Sequence, residues 1–264
     1  MARYFIELAY KGTNFHGWQI QPNGISIQEI LEKTLSQIFS TEIKVIGAGR
    51  TDSGVHAAYM VAHFDTPQPI RNCDYLTLGL NKMLPQDIVI IAITEVAENA
   101  HSRFFATSRI YEYHIAFEKN PFLFDYVYTK RHHQELDIDA MNEAAKILFS
   151  YSDFTSFCKI PSDNKTNICT IKQSFWEMRG DKLVYVIEAN RFIRNMVRAI
   201  VGTLLDVGRK KISIQEFIMI IESKDRAKAS TSAPAKGLFL IDVQYPEDVF
   251  IPSPRKNYLF PLNI

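Results

Sequence analysis

Asp52 lies in the stretch Gly47-Ala-Gly-Arg-Thr-Asp-Ser-Gly-Val-His-Ala57, between two β-rich segments. Three glycines in one turn allow backbone conformations and close approaches that other residues resist, and such turns often present function. On local composition two readings stand side by side: a hairpin loop whose aspartate hydrogen-bonds nearby backbone, and a lone carboxylate offered for chemistry. The stretch has neither the GxxxxGK[ST] nor the GxGxxG pattern of phosphate-cradling loops. It also has no second carboxylate to hold magnesium for phosphoryl transfer. Chemistry here would be that of one ionised carboxylate acting as nucleophile or base.

Two further segments carry groups that could hold a substrate. In Arg191-Phe-Ile-Arg-Asn-Met-Val-Arg198-Ala-Ile-Val-Gly202, a helix at about 100° per residue would set Arg191, Arg194 and Arg198 within an arc of roughly 60°. Phe192, Ile193, Met196, Val197, Ile200 and Leu204 would take the opposite side. A solvated charged face is the plain alternative. The stripe contains no acidic residue, however, and exposed helices usually mix signs for pairing. Phosphate or a buried carboxylate is the better partner. In His101-Ser-Arg-Phe-Phe-Ala-Thr-Ser-Arg109-Ile-Tyr111-Glu-Tyr113, arginines and aromatics interleave, and Arg109, Tyr111 and Tyr113 share one strand face. That mixture suits an unpaired base; tyrosine alternation is also good strand sequence. Gly12 to Gln19, with Phe15, His16 and Trp18, is either a third aromatic loop of the same site or packing. His132 and His133 lack metal-ligand spacing.

These segments need a frame. Tyr4, Ile6, Leu8 and Tyr10 alternate as one face of a half-buried strand. Ser26 and Glu29 make a capping box ahead of Ile27, Ile30, Leu31, Leu35 and Ile38 at helical spacing. Strands are expected at residues 43–46, 58–64 and 88–96, with a helix near residues 75–84. From Arg109 the order begins again, with a strand to Phe117 and a helix from Asp137 or Asp139 to Leu148. A hairpin follows around Gly180-Asp181, then a long helix from Arg191 to Val207 stopped by Gly208. A helix opens at the Ser213–Glu216 capping box, and Leu238 to Val243 gives a late strand. Lys224 to Lys236, polar and charged, is expected to be a mobile loop, and the tail from Pro246 to wrap over the surface. Helices with mostly antiparallel strands in each half make the fold α+β. The expected halves are 1–104, with the Asp52 loop, and 105–264, with Tyr111, the arginine segment and the tail.

The composition, 47% hydrophobic and 22% charged over 264 residues, supports a real core. Single cores seldom grow beyond about 250 residues, which favours two lobes. A net charge of +1 means that a polyanion must be met by a local patch. Cys73, Cys158 and Cys169 are odd in number and lack CxxC spacing, against a disulfide framework or structural zinc and in favour of a reducing compartment. Met1 to Tyr10 alternates and carries Glu7, unlike a signal peptide, and no run approaches a membrane span. The expected location is the cytoplasm.

Along nearly its whole length the chain resembles the TruA family of tRNA pseudouridine synthases. The matching blocks are Tyr10 to Gln21, Gly47 to Ala57, Asn81 to Ile88, His101 to Tyr113, Phe192 to Gly202 and Ala233 to Leu240, in the family's order. Ser53 stands where alanine is more usual. The resemblance implies two halves with antiparallel sheets, related by a pseudo-two-fold axis and meeting at a basic cleft, in a homodimer acting on tRNA uridines 38, 39 and 40. It makes Asp52 the catalytic aspartate and Arg50 a neighbour that helps hold the flipped nucleotide. Tyr111 would stack on the target base and Arg198 would pair with the catalytic carboxylate. Arg103, Arg109, Arg191 and Arg194 are then candidate RNA ligands. The isomerisation breaks the N1–C1′ bond, turns the uracil and joins C5 to C1′ without net redox change, so no metal, nicotinamide or ATP is implied. The alternatives are a non-catalytic RNA-binding protein of the same fold and an aspartate-dependent hydrolase of a small phosphate ester.

Overall fold

The computed structural model describes residues 1–130, 136–160 and 165–250; His132, His133 and the tail beyond Phe250 lie outside the described residues. The described residues divide into two compact units, Met1–Thr107 with residues 240–250, and Ser108–Phe239. Helices and mostly antiparallel strands make it α+β. Among the described residues no helix is long and apolar enough to cross a membrane.

In the first unit β1 (Ala2–Tyr10) runs between β3 (His56–Thr66) and β4 (Ile88–Val96), antiparallel to both. The short β2 (Val45–Gly47) pairs with β3, and β9 (Leu238–Gln244) follows β3 in the strand order. The half-buried pattern expected for β1 is not what forms, for Tyr4, Phe5, Ile6 and Leu8 are all fully buried. On one face Tyr4 lies beside its cross-strand partner Phe64 at 5.8 Å, and Phe39 packs against Phe64. The other is closed by Tyr245 and Phe250, 5.3 and 5.7 Å from Phe5. Each such side chain contributes about 1.5–3 kcal/mol by leaving water. Phe39 ends α1 (Ile27–Phe39), whose first turn is capped by Ser26 Oγ accepting from Glu29 N. Helix α2 (Cys73–Met83) is capped likewise by Asn72.

The second unit is built on the antiparallel order β5 (Ser108–Ala116), β8 (Lys182–Ala189), β7 (Ile171–Arg179). The two-residue β6 (Tyr128–Thr129) adds a parallel pair to β5. The β7–β8 hairpin turns at Gly180, with φ +62°. Asp137 caps α3 (Ile138–Ile147), and α5 (Ile214–Ser223) opens on a complete capping box of Ser213 and Glu216.

Helix α4 (Met196–Gly208) departs from expectation at both ends. It starts after Asn195, which takes the left-handed conformation at φ 68°, so Arg191 and Arg194 precede the helix and the three arginines do not form one helical stripe. Gly208 does not stop the helix but is its last residue. A Cβ there would stand 2.4 Å from Met141 Sδ of α3; this glycine is a packing contact. Residues 224–236, expected to be mobile, are tied to α4 instead. Ser230 N donates to Thr203 Oγ1 at 3.3 Å, Ala229 and Ala233 are buried, and a Cβ on Gly202 would meet Thr231 O at 2.0 Å.

Candidate active site

The Asp52 loop is a tight turn seated on another loop. Val55 N donates to Asp52 O at 3.1 Å. Gly54, third residue of that turn, has φ +79°, which a type II turn demands and glycine adopts without strain. Below it, Trp18 N donates to Thr51 O at 3.1 Å, Gly54 N and Ser53 Oγ both donate to Phe15 O, and Gly12 N donates to His56 Nδ1. Tyr10 and Thr51 share a hydroxyl–hydroxyl bond of 2.8 Å. Glycine makes this approach possible: a Cβ on Gly12 would stand 2.0 Å from Val55 O, and one on Gly17, 2.4 Å from Thr51 O. Of the aromatic residues in 12–19, Phe15 and Trp18 are buried and pack beneath the turn, whereas His16 is exposed. Ser53, the one departure from the family pattern in this loop, supplies a hydroxyl bond that alanine could not. The result is a carboxylate on a rigid mount, half-exposed, with Arg50 exposed beside it in sequence.

The segment after β4 is also anchored. Ser102 Oγ donates to Ile46 O at 2.7 Å and lies 2.8 Å from Nδ1 of the buried His63. His63 is held at a pKa of about 4, chiefly by burial and then by repulsion from His101 and Arg3. This fixed base leaves Arg103 and Phe104 in solvent, the guanidinium 5.9 Å from the ring centre.

In the second unit Tyr111 and Tyr113 project from one face of β5, as the strand period requires. Tyr111 is 8% exposed, with the Phe192 ring perpendicular to it at 5.1 Å. The Tyr113 hydroxyl donates to Pro234 O at 2.8 Å; burial pushes its pKa far above the phenol range, against the pull of the Arg198 charge. Arg198 is in the first turn of α4. Its Nε donates to Ala233 O at 2.8 Å and its carbonyl accepts from Ala233 N at 2.9 Å. A cation at the positive end of a helix costs about 0.3–1 kcal/mol, a placement that packing alone does not call for. Arg109 is buried, and its Nη1 donates to Asn190 O at 2.8 Å, bracing the chain just before Arg191. Arg191 is half-buried and Arg194 exposed. The structure thus brings Tyr113 and Arg198 to residues 233–234, while Tyr111, on the same face of β5 as Tyr113, meets Phe192. What sequence reasoning missed is that loop's part in holding Arg198; the block from Ala233 to Leu240 was its only signal.

A family profile described as tRNA pseudouridine synthase matches residues 8–104 and 144–246. Asp52 falls in the first segment and Arg191, Arg194 and Arg198 in the second, while Tyr111 lies between them. The tRNA pseudouridine synthase A of Parabacteroides distasonis is 52% identical over 250 residues, which cover 95% of this chain and 98% of the relative. That of Bacteroides thetaiotaomicron is 52% identical over 264 residues, covering 98% and 96%. The similarity extends to Thermoanaerobacter pseudethanolicus, whose tRNA pseudouridine synthase A is 40% identical over 247 residues, covering 93% and 100%. With its glycine-mounted carboxylate and its arginine segment both inside the matched regions, the chain belongs to the tRNA pseudouridine synthase family, a family of isomerases.

Proposed function

We propose that this chain converts uridine to pseudouridine at positions 38, 39 and 40 in the anticodon stem and loop of tRNA, with Asp52 as the catalytic carboxylate. The observation that carries the reading is the mount of Asp52: a half-exposed carboxylate at the head of a turn pinned from below through Phe15 and Trp18. A group that must meet one atom of a substrate gains from such fixed placement. An ionised carboxylate can attack C1′, assist proton removal at C2′ or add to C6 of the uracil. Arg198 is its counter-charge, which favours the ionised form. Arg50 helps hold the flipped nucleotide. Leaving the stack costs the target base a few kcal/mol, and stacking on Tyr111 returns about 1–3 kcal/mol of it. The Phe192 ring lies 5.1 Å from Tyr111 and perpendicular to it, so a base seated on Tyr111 would have Phe192 as a neighbour. Arg103, Arg191 and Arg194 serve as phosphate ligands, and Arg109 supports them from behind. The first half, 1–104, brings the carboxylate with Arg50 and Arg103, and the second, 105–264, brings Tyr111 with Arg109, Arg191, Arg194 and Arg198. The reaction calls for no metal, nicotinamide or ATP, and the natural setting is the cytoplasm.

The direct test is release of tritium from tRNA labelled at uridine C5 and lacking the modification. Release mapped to positions 38–40 is expected; intact label after prolonged incubation overturns the reading. Arg194→Gln should flatten the slope of log affinity against log salt by about 0.7–0.9, the share of one phosphate, and an unchanged slope returns Arg194 to a solvated surface. With its nearly balanced charge, one subunit offers little basic surface, and a homodimer would extend the track along the tRNA. Exposed Phe149, Ile168 and Met219 in the second half are candidates for its apolar interface. Light scattering should give about 60 kDa, with the interface above roughly 2,000 Å²; a fully active species of single-chain mass overturns the dimer.

A further inference from the structure

The loop joining α5 to β9 holds Arg198, and one side chain within the loop holds the loop. Arg226 is half-buried. Its Nη1 donates to the carbonyls of Ala229 and Ser230 at 3.1 and 3.2 Å, and its Nη2 donates to Ser232 Oγ at 2.9 Å. Ser232 Oγ is a junction, because it also accepts from Asn195 Nδ2 at 2.7 Å. Asn195 is the left-handed residue from which α4 starts, one turn before Arg198. The residue after the junction, Ala233, closes the two-way bond with Arg198 that sets the plane of its guanidinium. A planar fork that reaches three acceptors fixes a loop in a way that a single ammonium point charge does not.

We infer that Arg226 is a positioning residue for the isomerisation: it locks residues 229–233, and through Ser232 and Ala233 it orients the guanidinium of Arg198. The inference rests on the role proposed above for Arg198. Arg226 itself acts on the loop and not on the reacting atoms.

The test compares Arg226→Lys, Ser232→Ala, Arg198→Lys and the Arg226→Lys/Arg198→Lys double variant, each shown by thermal melting to be folded. The readouts are the single-turnover rate of tritium release and the Kd for tRNA. Arg226→Lys should slow the chemical step about tenfold while Kd stays within about threefold, the pattern of lost orientation rather than lost binding. The double variant should be no slower than Arg198→Lys alone, because the two residues act through one guanidinium. A native rate in folded Arg226→Lys, or losses that multiply in the double variant, overturns the inference. If Arg226→Lys does not fold, Ser232→Ala decides: a slowed chemical step with unchanged Kd supports the inference, and a native rate overturns it. Native turnover by Asp52→Asn or Arg198→Lys is a different result, which overturns the site assignment and this inference with it.

Discussion

Asp52→Asn is expected to lower the single-turnover rate by about 10⁴-fold or more, the scale seen when a nucleophile or base is removed outright. Affinity for tRNA should stay within about threefold, since phosphate contacts supply most of such binding. The substitution exchanges an oxygen for an amide group of nearly the same size, so the mount survives. The bonds that hold the turn run through the backbone of Thr51, Asp52, Gly54 and Val55 and through the hydroxyls of Thr51 and Ser53. Tritium release and filter binding on the same preparation measure the two effects separately. Asp52→Ala run in parallel guards against slow deamidation of the asparagine back to aspartate. Measurable multiple turnover by Asp52→Ala, which cannot revert, removes Asp52 from the chemistry.

The second large effect is expected from Gly17→Ala, a residue that carries no functional group. Gly17 has φ +80°, and a Cβ there would lie 2.4 Å from Thr51 O, 3.1 Å from Asp52 C and 3.2 Å from Ser53 N. All three neighbours are backbone and cannot swing aside as a flexible side chain would. The left-handed conformation alone costs an alanine about 1–2 kcal/mol. Relief by moving the turn gives up the Trp18 N–H bond to Thr51 O, worth roughly another 1 kcal/mol. Urea denaturation should therefore show a loss of about 2–3 kcal/mol. The rate should fall about 100-fold, the usual consequence of displacing a reacting group by an ångström. Gly79→Ala is the control: it lies inside α2 with no atom within 4 Å of the added Cβ, and the change should be neutral or stabilise by about 0.5–1 kcal/mol. Near-native kinetics in Gly17→Ala would show that the seat under Asp52 yields without consequence.

Legibility in the sequence followed the range of the interactions that decide each feature. Where one turn carries its own signal, as at Ser26 with Glu29 and Ser213 with Glu216, the helix starts were readable to the residue, and at α3 the choice was narrowed to Asp137 or Asp139, of which Asp137 is the cap. The start of α4 was not, because apolar spacing continues unbroken through Arg191 to Met196. The break there is made by Asn195, stabilised by Ser232, 37 positions away. Polar composition suggested mobility for residues 224–236, yet the partners of Arg226 are main-chain carbonyls, which composition does not display. The two-sided burial of β1 depends on Tyr245 and Phe250 from the far end of the chain. At the site the glycines around Asp52 marked the turn, while the counterparts that receive it, Gly12 and Gly17, sat in a segment equally readable as packing.

The return of the chain to its first unit bears on the order in which the protein can be made. Residues 240–250 belong with Met1–Thr107, where Gln244 O accepts from Thr107 N, Tyr245 donates to Ser102 O and its ring packs on Phe5. During synthesis the amino-terminal unit therefore leaves the ribosome with the Phe5 face of its sheet uncovered, and it waits for nearly the entire remaining chain before that face is closed. The intervening unit, Ser108–Phe239, is contiguous and can complete itself first. This reverses the usual amino-to-carboxyl order of domain maturation. It also makes the long-range closure, with its large loop entropy, the expected slow step of folding.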